Sequence, residues 1–481
     1  MVAGATSQVL VASNRGPVSY TRGDDGKLTA ERGGGGLVSG LSAMGSEAVW
    51  VCAALGDGDR EAVRRTGGTL DRADTGGQTV RMLDIPPGTF EAAYHGVANS
   101  VLWFVHHMLY QIPLEPAFDD DFVRQWEAYE AYNAAFAVAL ADEAEHGATV
   151  LVQDYHLTLV PTLLRERRAD LRIGHFSHTP WAPPDYYRLL PDAVAAQVLR
   201  GILGADRAAF LTRRWADTFA ECCARVLGAE VRGDEITYEG RTTRLGVHPL
   251  GADADFLRER AHRDDVAERM GQLCEQIGTA PDGSPRRTVV RVDRTELSKN
   301  IVRGLHAYRR LLSDRPEWRE RVVHLAFAYP SRQDLAVYRD YTAEVQRVAE
   351  EINSAFATAT WTPVLLHVKD DFARSLAAYR LADVALVNPI RDGMNLVAKE
   401  IPVVSDDGCA LVLSREAGAY EEMAEDALVV NPFDVVATAE ALRTGLELDP
   451  AERLDRTKRL SATATALPPA RWLLQQLEAL R

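Results

Sequence analysis

The chain has 481 residues, of which 46% are hydrophobic and 26% charged, and its formal net charge is −15. That length allows more than one domain with its own core, and the acidic charge argues against nucleic acid or an anionic membrane as the main partner. No segment reaches the ~18 uninterrupted apolar residues that a membrane-spanning helix needs. Residues 1–8 lack the pattern of a signal peptide, so we expect a cytoplasmic protein whose partners are small molecules.

The cysteines, histidines and lysines indicate which kinds of disulfide, metal and cation sites the sequence predicts. The five cysteines form no C-x-x-C pair, as expected for idle or buried thiols in a reducing compartment. The adjacent His106 and His107 point to different faces, so the sequence predicts no metal site there. Only five of the 54 basic residues are lysines, and two of them, Lys299 and Lys399, lie in the motifs described below.

Strand-like apolar runs alternate with helical stretches through the first half of the chain. The predicted strands are residues 9–13, 149–153, 173–177 and 208–211, and the predicted helices are residues 121–145 and 157–167. Residues 56–89, rich in Gly, Asp and Arg, are predicted to form a long surface excursion. The alternation is typical of α/β units built around a parallel sheet.

A second set of alternating elements follows a turn-rich link at residues 248–251. Its predicted strands are residues 288–292, 322–328, 363–368, 384–387 and 410–413, with helices at residues 302–312 and 338–356. We therefore predict an α/β fold of two doubly wound Rossmann-like domains facing each other across a cleft. The predicted domains are residues 1–249 and 250–464, with a closing helix at 465–481 that packs back on the first.

The most informative motif follows the fourth predicted strand of the second half. Pro389 ends the strand, Gly393 permits a tight turn, and helical character begins at Met394. Backbone N–H groups and the positive helix end then point at whatever lies above the strand. Asp392 at the turn and Glu400 along the helix could bracket a ligand with hydroxyls at both ends and phosphate between, such as a nucleotide sugar. An ordinary strand-to-helix corner is the alternative.

Two further motifs carry cations at strand ends. Arg294-Thr-Glu-Leu-Ser-Lys299 places a guanidinium and an ammonium five residues apart just past a strand. The pair can neutralise a diphosphate without a metal, because Arg grips phosphate at two points and Lys acts as a point charge. Arg332, in Tyr329-Pro-Ser-Arg332, adds a third cation. A solvated basic turn is the alternative for the first motif, and a salt-bridge or helix-dipole arginine for the second.

Two loops near the amino terminus are candidates for ligand contact. Arg15 follows the first predicted strand, and the run Gly33-Gly-Gly-Gly36 permits close approach of backbone to a ligand. Val38 and Ser39 stand where the last small residue of a G-x-G-x-x-G/A fingerprint would fall, which disfavours a nicotinamide dehydrogenase. A flexible hairpin loop is the alternative for the glycines.

Four more side chains could contact a sugar. Asp154 and His178 each follow a buried-looking strand, and the prolines after His178 predict a rigid loop that presents it. Tyr94 and Trp103 could stack on a sugar ring or hydrogen-bond to it. Structural roles fit each of the four equally well: a lone Asp or His is often structural, and the two aromatic residues are spaced as core residues also are.

Together these residues resemble the trehalose-6-phosphate synthases, which are retaining glycosyltransferases of the GT-B architecture. The resemblance runs from residue 13 to the closing helix around Trp472. Its most specific parts are Arg391-Asp-Gly-Met-Asn-Leu-Val-Ala-Lys-Glu400, Asp154-Tyr-His-Leu157, His178-Thr-Pro-Trp181, Pro330-Ser-Arg332 and the Arg294 to Lys299 spacing. It implies transfer of glucose from a nucleotide donor, UDP-glucose or GDP-glucose, to glucose 6-phosphate, forming α,α-trehalose 6-phosphate.

The resemblance also implies a role for each candidate residue. Catalytic positions would be Asp154, His178, Arg294, Lys299 and Asp392. The donor site would comprise Gly36, His178, Arg294, Lys299, Phe372, Asp392, Gly393, Met394, Asn395, Leu396 and Glu400. The acceptor site would comprise Arg15, Tyr94, Trp103, Asp154 and Arg332. The donor-site cations would hold the diphosphate, Glu400 the ribose hydroxyls, and the acceptor-site arginines the sugar phosphate, while Phe372 would lie near the base.

The implied mechanism lets the leaving phosphate take the acceptor proton, so it needs positioned cations but no dedicated nucleophile, cofactor or metal. The chain departs from the family pattern in three places. Gln153 stands for a common His, Ala53 for a common aromatic residue, and Arg-Thr-Glu-Leu-Ser-Lys-Asn300 for Arg-Leu-Asp-Tyr-Ser-Lys-Gly.

Two alternative functions use the same scaffold. A pseudo-glycosyltransferase would couple a nucleotide-activated cyclitol to an aminocyclitol phosphate, and a sensor would bind sugar phosphate without turnover. The intact Arg-Asp-Gly-Met-Asn-Leu pattern disfavours the first, and a complete diphosphate grip disfavours the second. The sequence leaves open the nucleotide, ADP-glucose included, and the oligomeric state, including a homo-oligomer.

Overall fold

The computed structural model describes residues 8–23, 26–32 and 48–481. Contacts between Cα atoms divide the chain into two compact units. Unit 1 comprises Met1–Pro249 and Pro469–Arg481, and unit 2 comprises Leu250–Pro468. Each unit contains its own largely parallel sheet with helices between the strands.

Over the residues described, the sheet of unit 1 has nine strands in the order β5-β4-β1-β6-β7-β8-β11-β10-β9. It is parallel from β5 to β11 and antiparallel beyond, while β2 and β3 pair as a separate hairpin. In the part of the chain that the structure describes, the strands are β1 Val9–Ala12, β2 Val18–Arg22, β3 Leu28–Arg32, β4 Ala48–Ala53, β5 Thr79–Leu83, β6 Thr149–Gln153, β7 Arg172–Ser177, β8 Arg207–Phe210, β9 Glu230–Arg232, β10 Glu235–Tyr238 and β11 Arg241–Val247.

Helices connect these strands. Those described in unit 1 are Asp57–Thr66, Arg72–Thr75, Pro87–Glu91, the π-helix Ala92–Leu102, Trp103–His107, Asp120–Glu143, the 3₁₀ turn Tyr155–Leu157, Val160–Arg167, Pro184–Tyr187, Asp192–Leu203, Arg213–Leu227 and Pro469–Glu478. The carboxylate of Asp119 caps the helix Asp120–Glu143 by accepting hydrogen bonds from the N–H groups of Asp121 and Phe122. The C-terminal helix is held in unit 1 by Trp472, which is buried and donates from Nε1 to the carbonyl of His248 at 2.9 Å.

The sheet of unit 2 has six parallel strands in the order β14-β13-β12-β15-β16-β17. They are β12 Arg287–Arg294, β13 Val322–Tyr329, β14 Val364–His367, β15 Val384–Val387, β16 Ala410–Ser414 and β17 Leu428–Val430. The helices of unit 2 are Ala254–Ala261, Asp264–Ile277, the 3₁₀ turn Leu297–Lys299, Ile301–Asp314, the 3₁₀ turn Pro316–Trp318, Ala336–Phe356, Phe372–Leu381, Leu396–Val404, Tyr420–Met423, Val435–Glu447 and Pro450–Ala464.

Both sheets have the strand order of a dinucleotide-binding fold, in which the direction of winding reverses at one point. That point lies between β1 and β6 in unit 1 and between β12 and β15 in unit 2. The helices that leave the two strands at a reversal go to opposite faces of the sheet and open a crevice at the carboxyl ends of those strands. A ligand site is therefore expected after these four strands.

The structure confirms every predicted strand to within two residues and the predicted helices to within a few residues. The interpretation of residues 56–89 as a surface excursion is wrong. This segment contains the helix Asp57–Thr66 and strand β5, in which Val80 and Met82 are buried. Composition misled because the segment also buries polar groups: Asp59 accepts the backbone N–H of Tyr20 at 2.7 Å. Over the residues described, no helix combines the length and apolar character needed to cross a membrane.

Candidate active site

In unit 2, the loops after β12 and β15 meet at the point where the sheet reverses its winding. The backbone N–H of Ile390 donates to the carbonyl of Ser298 at 2.8 Å and joins the two loops directly. Lys299, at the end of the β12 loop, donates from Nζ to Oδ2 of Asp392 in the β15 loop at 2.6 Å. The structure therefore brings together the two motifs that the sequence presents 93 residues apart.

Lys299 carries a positive charge in this setting. Burial alone would lower the pKa of its ammonium, but the carboxylates of Asp392 and Asp293 outweigh burial and raise the pKa. Asp293 Oδ1 lies 4.0 Å from Nζ, beyond the closer Asp392. A cation held between two carboxylates is a preorganised point charge, ready for a phosphate oxygen placed above it.

Sequence reasoning missed the buried ion pair beneath Lys299. Arg291, in the middle of β12, is almost completely buried and donates to Asp293 Oδ2 at 2.8 Å and to the carbonyl of Lys299 at 3.0 Å. Its other amino group reaches Oδ1 of Asn388 at 3.3 Å. Burial raises the pKa of the Asp293 carboxyl, while Arg291 and Lys299 oppose that rise. The signal that could have revealed the pair is its spacing, since residues two apart on a strand share a face.

The turn after β15 ends in the helix Leu396–Val404. Asn395 has φ of 73° and caps the helix: its Oδ1 accepts from the N–H of Ala398 at 3.2 Å, and its Nδ2 donates to Asp392 Oδ2 at 3.1 Å. The first N–H groups of a helix have no intrahelical partner and lie at the positive end of its dipole. An anion-binding position is thus created beside Asp392, Gly393 and Met394.

A short backbone segment after β16 braces this turn from behind. The N–H of Gly418 donates to the carbonyl of Asp392 at 3.1 Å, and the N–H of Ala419 donates to the carbonyl of Met394 at 2.7 Å. A Cβ on Gly418 would lie 2.0 Å from the carbonyl oxygen of Gly393. The backbone approach is so close that only glycine fits there.

The remaining candidates for donor binding lie on neighbouring elements of unit 2. Glu400 is on the first turns of the helix Leu396–Val404, and burial raises the pKa of its carboxyl while a hydrogen bond from Tyr379 at 3.4 Å opposes that rise. Phe372 begins another helix and is 46% exposed. Lys399, by contrast, points away into the core, where its Nζ donates to Glu422 at 2.5 Å and to the carbonyl of Leu250 at 3.0 Å.

Two arginines of unit 2 flank one buried carboxylate. The side chain of Arg294 is 58% exposed, and its Nη1 lies 3.5 Å from Oε1 of Glu296. Arg332 Nη1 pairs with Oε2 of the same carboxylate. Arg332 has φ of 45°, an uncommon conformation for a residue other than glycine. The candidate donor cation and the candidate acceptor cation of this unit are therefore linked through Glu296.

Three candidates in unit 1, Arg15, Asp154 and His178, follow strands β1, β6 and β7. Arg15 follows β1 and is exposed. Asp154 follows β6 with φ of 72° and ψ of 175°, a strained conformation for a non-glycine residue and one that tends to occur at functional sites. Its N–H donates to the carbonyl of Phe176 at 2.7 Å, and its Oδ1 accepts the backbone N–H of His178 at 3.1 Å. The ends of β6 and β7 are thereby locked together.

His178 is neutral near pH 7. Burial lowers the pKa of its imidazole, with a smaller opposing effect from the carboxylate of Asp154. Its Nε2 lies 2.9 Å from Oε1 of Gln153, so Nε2 carries the proton when that oxygen accepts. Gln153, one of the departures from the family pattern, thus orients the candidate sugar-binding histidine.

The two candidate aromatic residues belong to one cluster in unit 1. Tyr94 lies in the π-helix Ala92–Leu102, a form often found at functional sites, and stacks on His156 with centroids 5.5 Å apart. Trp103 begins the next helix and has its ring 5.7 Å from that of Tyr155. Tyr155 and His156 directly follow Asp154, so the structure brings both aromatic candidates to the end of β6.

Gly36 and two departures from the family pattern, Asn300 and Ala53, complete the set of positions named from the sequence. Gly36 lies outside the described residues. Asn300 has φ of 60°, which asparagine tolerates better than most residues, and its side-chain N–H groups donate to the carbonyls of Asn388 and Pro432, so it replaces the family glycine without loss of the turn. Ala53 is buried at the end of β4. Within residues 8–23, 26–32 and 48–481, no group of three His, Cys, Asp or Glu side chains is arranged to hold a metal ion.

Comparison with protein families gives one match that covers almost the whole chain. The model of glycosyltransferase family 20 matches residues 7–481. Probable alpha,alpha-trehalose-phosphate synthase (UDP-forming) 2 of Arabidopsis thaliana is 33% identical over 463 residues, which is 94% of this chain and 54% of the plant protein. Alpha,alpha-trehalose-phosphate synthase (UDP-forming) 1 of Aspergillus fumigatus is 32% identical over 477 residues, 97% of this chain and 88% of the fungal protein. The chain spans about half the length of the first relative and most of the second.

Two solved structures are similar to the whole chain. One, from E. coli and bound with UDP-2-fluoro glucose, has a TM-score of 0.84 at 25% identity and covers 98% of this chain and 99% of its own. The other, an alpha,alpha-trehalose-phosphate synthase (UDP-forming) from Burkholderia xenovorans in complex with glucose-6-phosphate, has a TM-score of 0.83 at 26% identity, with coverage of 98% and 99%. The predicted GT-B class of α/β fold is confirmed.

Proposed function

Because the chain belongs to glycosyltransferase family 20, we propose that it transfers glucose from a nucleoside diphosphate donor to glucose 6-phosphate and forms α,α-trehalose 6-phosphate. The observation that carries the proposal is the meeting of diphosphate-binding groups in unit 2. The exposed guanidinium of Arg294, the ammonium of Lys299 and the amino end of the helix Leu396–Val404 all lie at the reversal point of one sheet. Cations and helix amino ends are the groups with which proteins bind diphosphates.

The chemistry follows from where charge develops. As the bond between the sugar and the diphosphate breaks, negative charge grows on the leaving phosphate, and fixed cations stabilise it without reorganisation. Lys299 is suited to this because its pKa is raised and its Nζ is fixed by Asp392. Arg294 adds a second charge. In unit 2, Asp392 hydrogen-bonds the donor glucose and Glu400 binds the ribose hydroxyls. In unit 1, the neutral His178 is the candidate for contact with a sugar.

The acceptor is bound through its phosphate and its ring. In unit 2, Arg332 binds the phosphate. In unit 1, the candidates for acceptor contact are Arg15, the aromatic residues Tyr94 and Trp103, and the strained Asp154. The leaving phosphate takes the acceptor proton, so catalysis depends on orientation and charge, which together account for large rate effects. Retention of configuration at the transferred carbon follows from reaction on one face of the sugar.

UDP-glucose is the donor that we propose first. The plant and fungal relatives are named UDP-forming, and the E. coli structure is bound with UDP-2-fluoro glucose. The Burkholderia xenovorans structure in complex with glucose-6-phosphate supports the acceptor. We also propose that the reaction needs no divalent metal, because Arg294 and Lys299 supply the charge that a metal would otherwise provide. Cyclitol coupling and a silent sensor are not favoured, since both relatives are named as trehalose-phosphate synthases.

The experiment is product formation from glucose 6-phosphate with UDP-, GDP- and ADP-glucose in parallel, each with EDTA and with Mg²⁺. Trehalose 6-phosphate from at least one donor, equal in EDTA and Mg²⁺, is the expected result. Absence of product with all three donors would contradict the proposed function, and product in Mg²⁺ alone would contradict metal independence. Arg310→Ala is the matched control for the variant Arg294→Ala in this assay. Arg310 is an exposed helical arginine that pairs only with Asp314 among the described residues.

A further inference from the structure

Glu296 has a fully buried carboxylate and lies within the motif Arg294-Thr-Glu-Leu-Ser-Lys299. Its side chain has 0% exposure, and it stands where the family pattern has a shorter Asp. Burial of a carboxylate is costly unless the charge is paired and its oxygens accept hydrogen bonds. The groups that pair with Glu296 therefore indicate which function its burial serves.

The exposed Arg294 lies 3.5 Å from Oε1 of Glu296, and the closer partners come from the loop that carries Arg332. Oε1 accepts from Oγ of Ser331 at 2.6 Å, and Oε2 accepts from Nη1 of Arg332. The hydroxyl of Tyr338, on the following helix, faces the same carboxylate: burial raises the pKa of Tyr338, and the charge of Glu296 raises it further. The guanidinium of Arg332 also lies over the ring of Tyr338, 5.7 Å from its centroid. Arg332 is thus held from two sides.

The backbone around these groups is also constrained. Arg332 has φ of 45°, and its carbonyl accepts the N–H of Leu335 at 3.0 Å. On the other side, the N–H of Thr295 donates to the carbonyl of Tyr329 at 2.6 Å, so the end of β12 and the end of β13 are fixed to each other. A strained backbone persists only where its surroundings over-determine it. The carboxylate of Glu296 is the charged part of those surroundings.

We propose that Glu296 is a positioning residue that holds the Arg332 guanidinium in the orientation needed to bind the acceptor phosphate. This inference depends on the proposed function, because it takes Arg332 as a phosphate-binding residue. A phosphate bound there shares the guanidinium with Glu296, one edge of the fork for each. Arg suits this role because its planar fork presents five N–H donors in a fixed geometry.

Two opposing effects of Glu296 can be compared. Its negative charge repels a nearby phosphate, whereas its pairing removes rotamer freedom that Arg332 would otherwise lose when it binds the phosphate. The side chain of Arg332 is only 13% exposed, so an unpaired guanidinium would also lack water to solvate it. We expect the loss of positioning to exceed the relief of repulsion, so loss of the carboxylate should weaken acceptor binding.

A double-mutant cycle on the whole protein tests this, with the dissociation constant for glucose 6-phosphate as the readout. Arg332→Ala should raise that constant roughly 30-fold, which is equivalent to about 2 kcal/mol of binding free energy. Glu296→Gln, which keeps the shape and removes the charge, should raise it about tenfold. In the Arg332→Ala background, Glu296→Gln should add less than about twofold, because it acts through the arginine.

Kinetics give a readout that a merely structural role would not change. Glu296→Gln should raise KM for glucose 6-phosphate and lower the preference for glucose 6-phosphate over unphosphorylated glucose, with KM for the donor changed by less than about twofold. Ser331→Ala removes one hydrogen bond to the carboxylate and should shift acceptor KM in the same direction by about threefold. It keeps the test valid if the buried Gln variant fails to fold. Glu344→Gln, at an exposed carboxylate paired with Arg347, is the control.

The outcomes distinguish failure of this inference from failure of the proposed function. An unchanged glucose 6-phosphate affinity in Arg332→Ala would overturn the assignment of Arg332 to the acceptor, and the inference with it. A large effect of Arg332→Ala with no effect of Glu296→Gln and Ser331→Ala would overturn the inference alone. So would a Glu296→Gln effect that persists undiminished in the Arg332→Ala background.

Discussion

Replacement of Gly418 by Ala should damage the candidate donor site, although Gly418 itself lies outside that site. The new Cβ would lie 2.0 Å from the carbonyl oxygen of Gly393, 2.8 Å from its carbonyl carbon and 2.9 Å from Cα of Met394. Real Cβ contacts do not fall below 3.0 Å, so the two segments must separate by at least about 1 Å. Both are backbone, so no side-chain rotation can relieve the clash.

The size of the effect follows from that displacement. The turn at Gly393 carries Asp392 and leads into the helix whose amino end we assign to the diphosphate. A misplacement of ~1 Å in a positioned site costs ~10²-fold in rate, equivalent to ~2.7 kcal/mol of transition-state stabilisation. Overpacking should also lower the free energy of unfolding by ~1–3 kcal/mol. Activity should therefore be lost under conditions where the protein remains folded.

The assay is kcat/KM for the donor at saturating glucose 6-phosphate, together with urea unfolding. Gly271→Ala is the matched control, because a Cβ there meets nothing within 4 Å and the residue lies inside the helix Asp264–Ile277. That variant should keep full activity and gain up to ~1 kcal/mol of stability, since Ala favours helix more than Gly. If Gly418→Ala and Gly271→Ala had the same kcat/KM, the bracing of the turn by Gly418 would have no functional meaning.

Three more changes test other parts of the site. Arg294→Ala should lower kcat/KM for the donor by ~10²–10³-fold while the dissociation constant of glucose 6-phosphate changes little, because we assign this guanidinium to the diphosphate of the donor. Lys299→Met should lower the free energy of unfolding by ~3–5 kcal/mol in urea titrations, because it removes the cation 2.6 Å from the mostly buried carboxylate of Asp392, while Asp293 keeps its pair with Arg291. Acidification from pH 7 to 5 should destabilise the protein by ~2 kcal/mol for each of His175 and His324, measured as a shift of the urea midpoint. Burial lowers the pKa of each imidazole from 6.5 to about 3 in the folded protein. Below pH 6.5, therefore, each of these histidines binds a proton in the unfolded chain but not in the folded protein. Stability from these groups is thus present above pH 6.5 and lost as the pH falls.

Each of these expectations has an outcome that contradicts it. A parallel loss of glucose 6-phosphate binding in Arg294→Ala would remove that residue from the donor site. Lys458→Met, at an exposed lysine paired with Asp455, should leave the urea midpoint unchanged, and an equal midpoint in Lys299→Met would mean that its pair contributes nothing. His324→Gln should reduce the proton uptake on unfolding by about one, and an unchanged slope of stability against pH would refute the pKa argument.

The positions of the strongest candidates could be predicted because strand ends are readable from sequence. Apolar runs locate β12 and β15, and polar residues directly after parallel strands must lie at one edge of a sheet. Lys299 and Asp392 therefore had to be near each other, although their 2.6 Å contact was not predictable. The number of lysines drew attention to Lys399 as well, yet that side chain serves the core of unit 2.

What sequence reasoning missed depends on side-chain pairing across distant segments. The pairing of Arg291 with Asp293 can be read from their spacing on one strand, but its contacts with Asn388 and with the carbonyl of Lys299 cannot. The pairing of Gln153 with His178 likewise depends on two adjacent strands. Strand β5 was missed because the polar residues around it are buried and satisfied by hydrogen bonds, a condition that composition does not reveal.

The most direct test of the central claim is the structure of the product formed from donor labelled with ¹³C at the anomeric carbon of glucose. After incubation with glucose 6-phosphate, NMR should show the label in an α-glycosidic bond to the anomeric carbon of glucose 6-phosphate, as retention requires. Label in free glucose would mean hydrolysis in place of transfer. A β-linked product, or one linked through another carbon or a nitrogen, would contradict the proposed reaction.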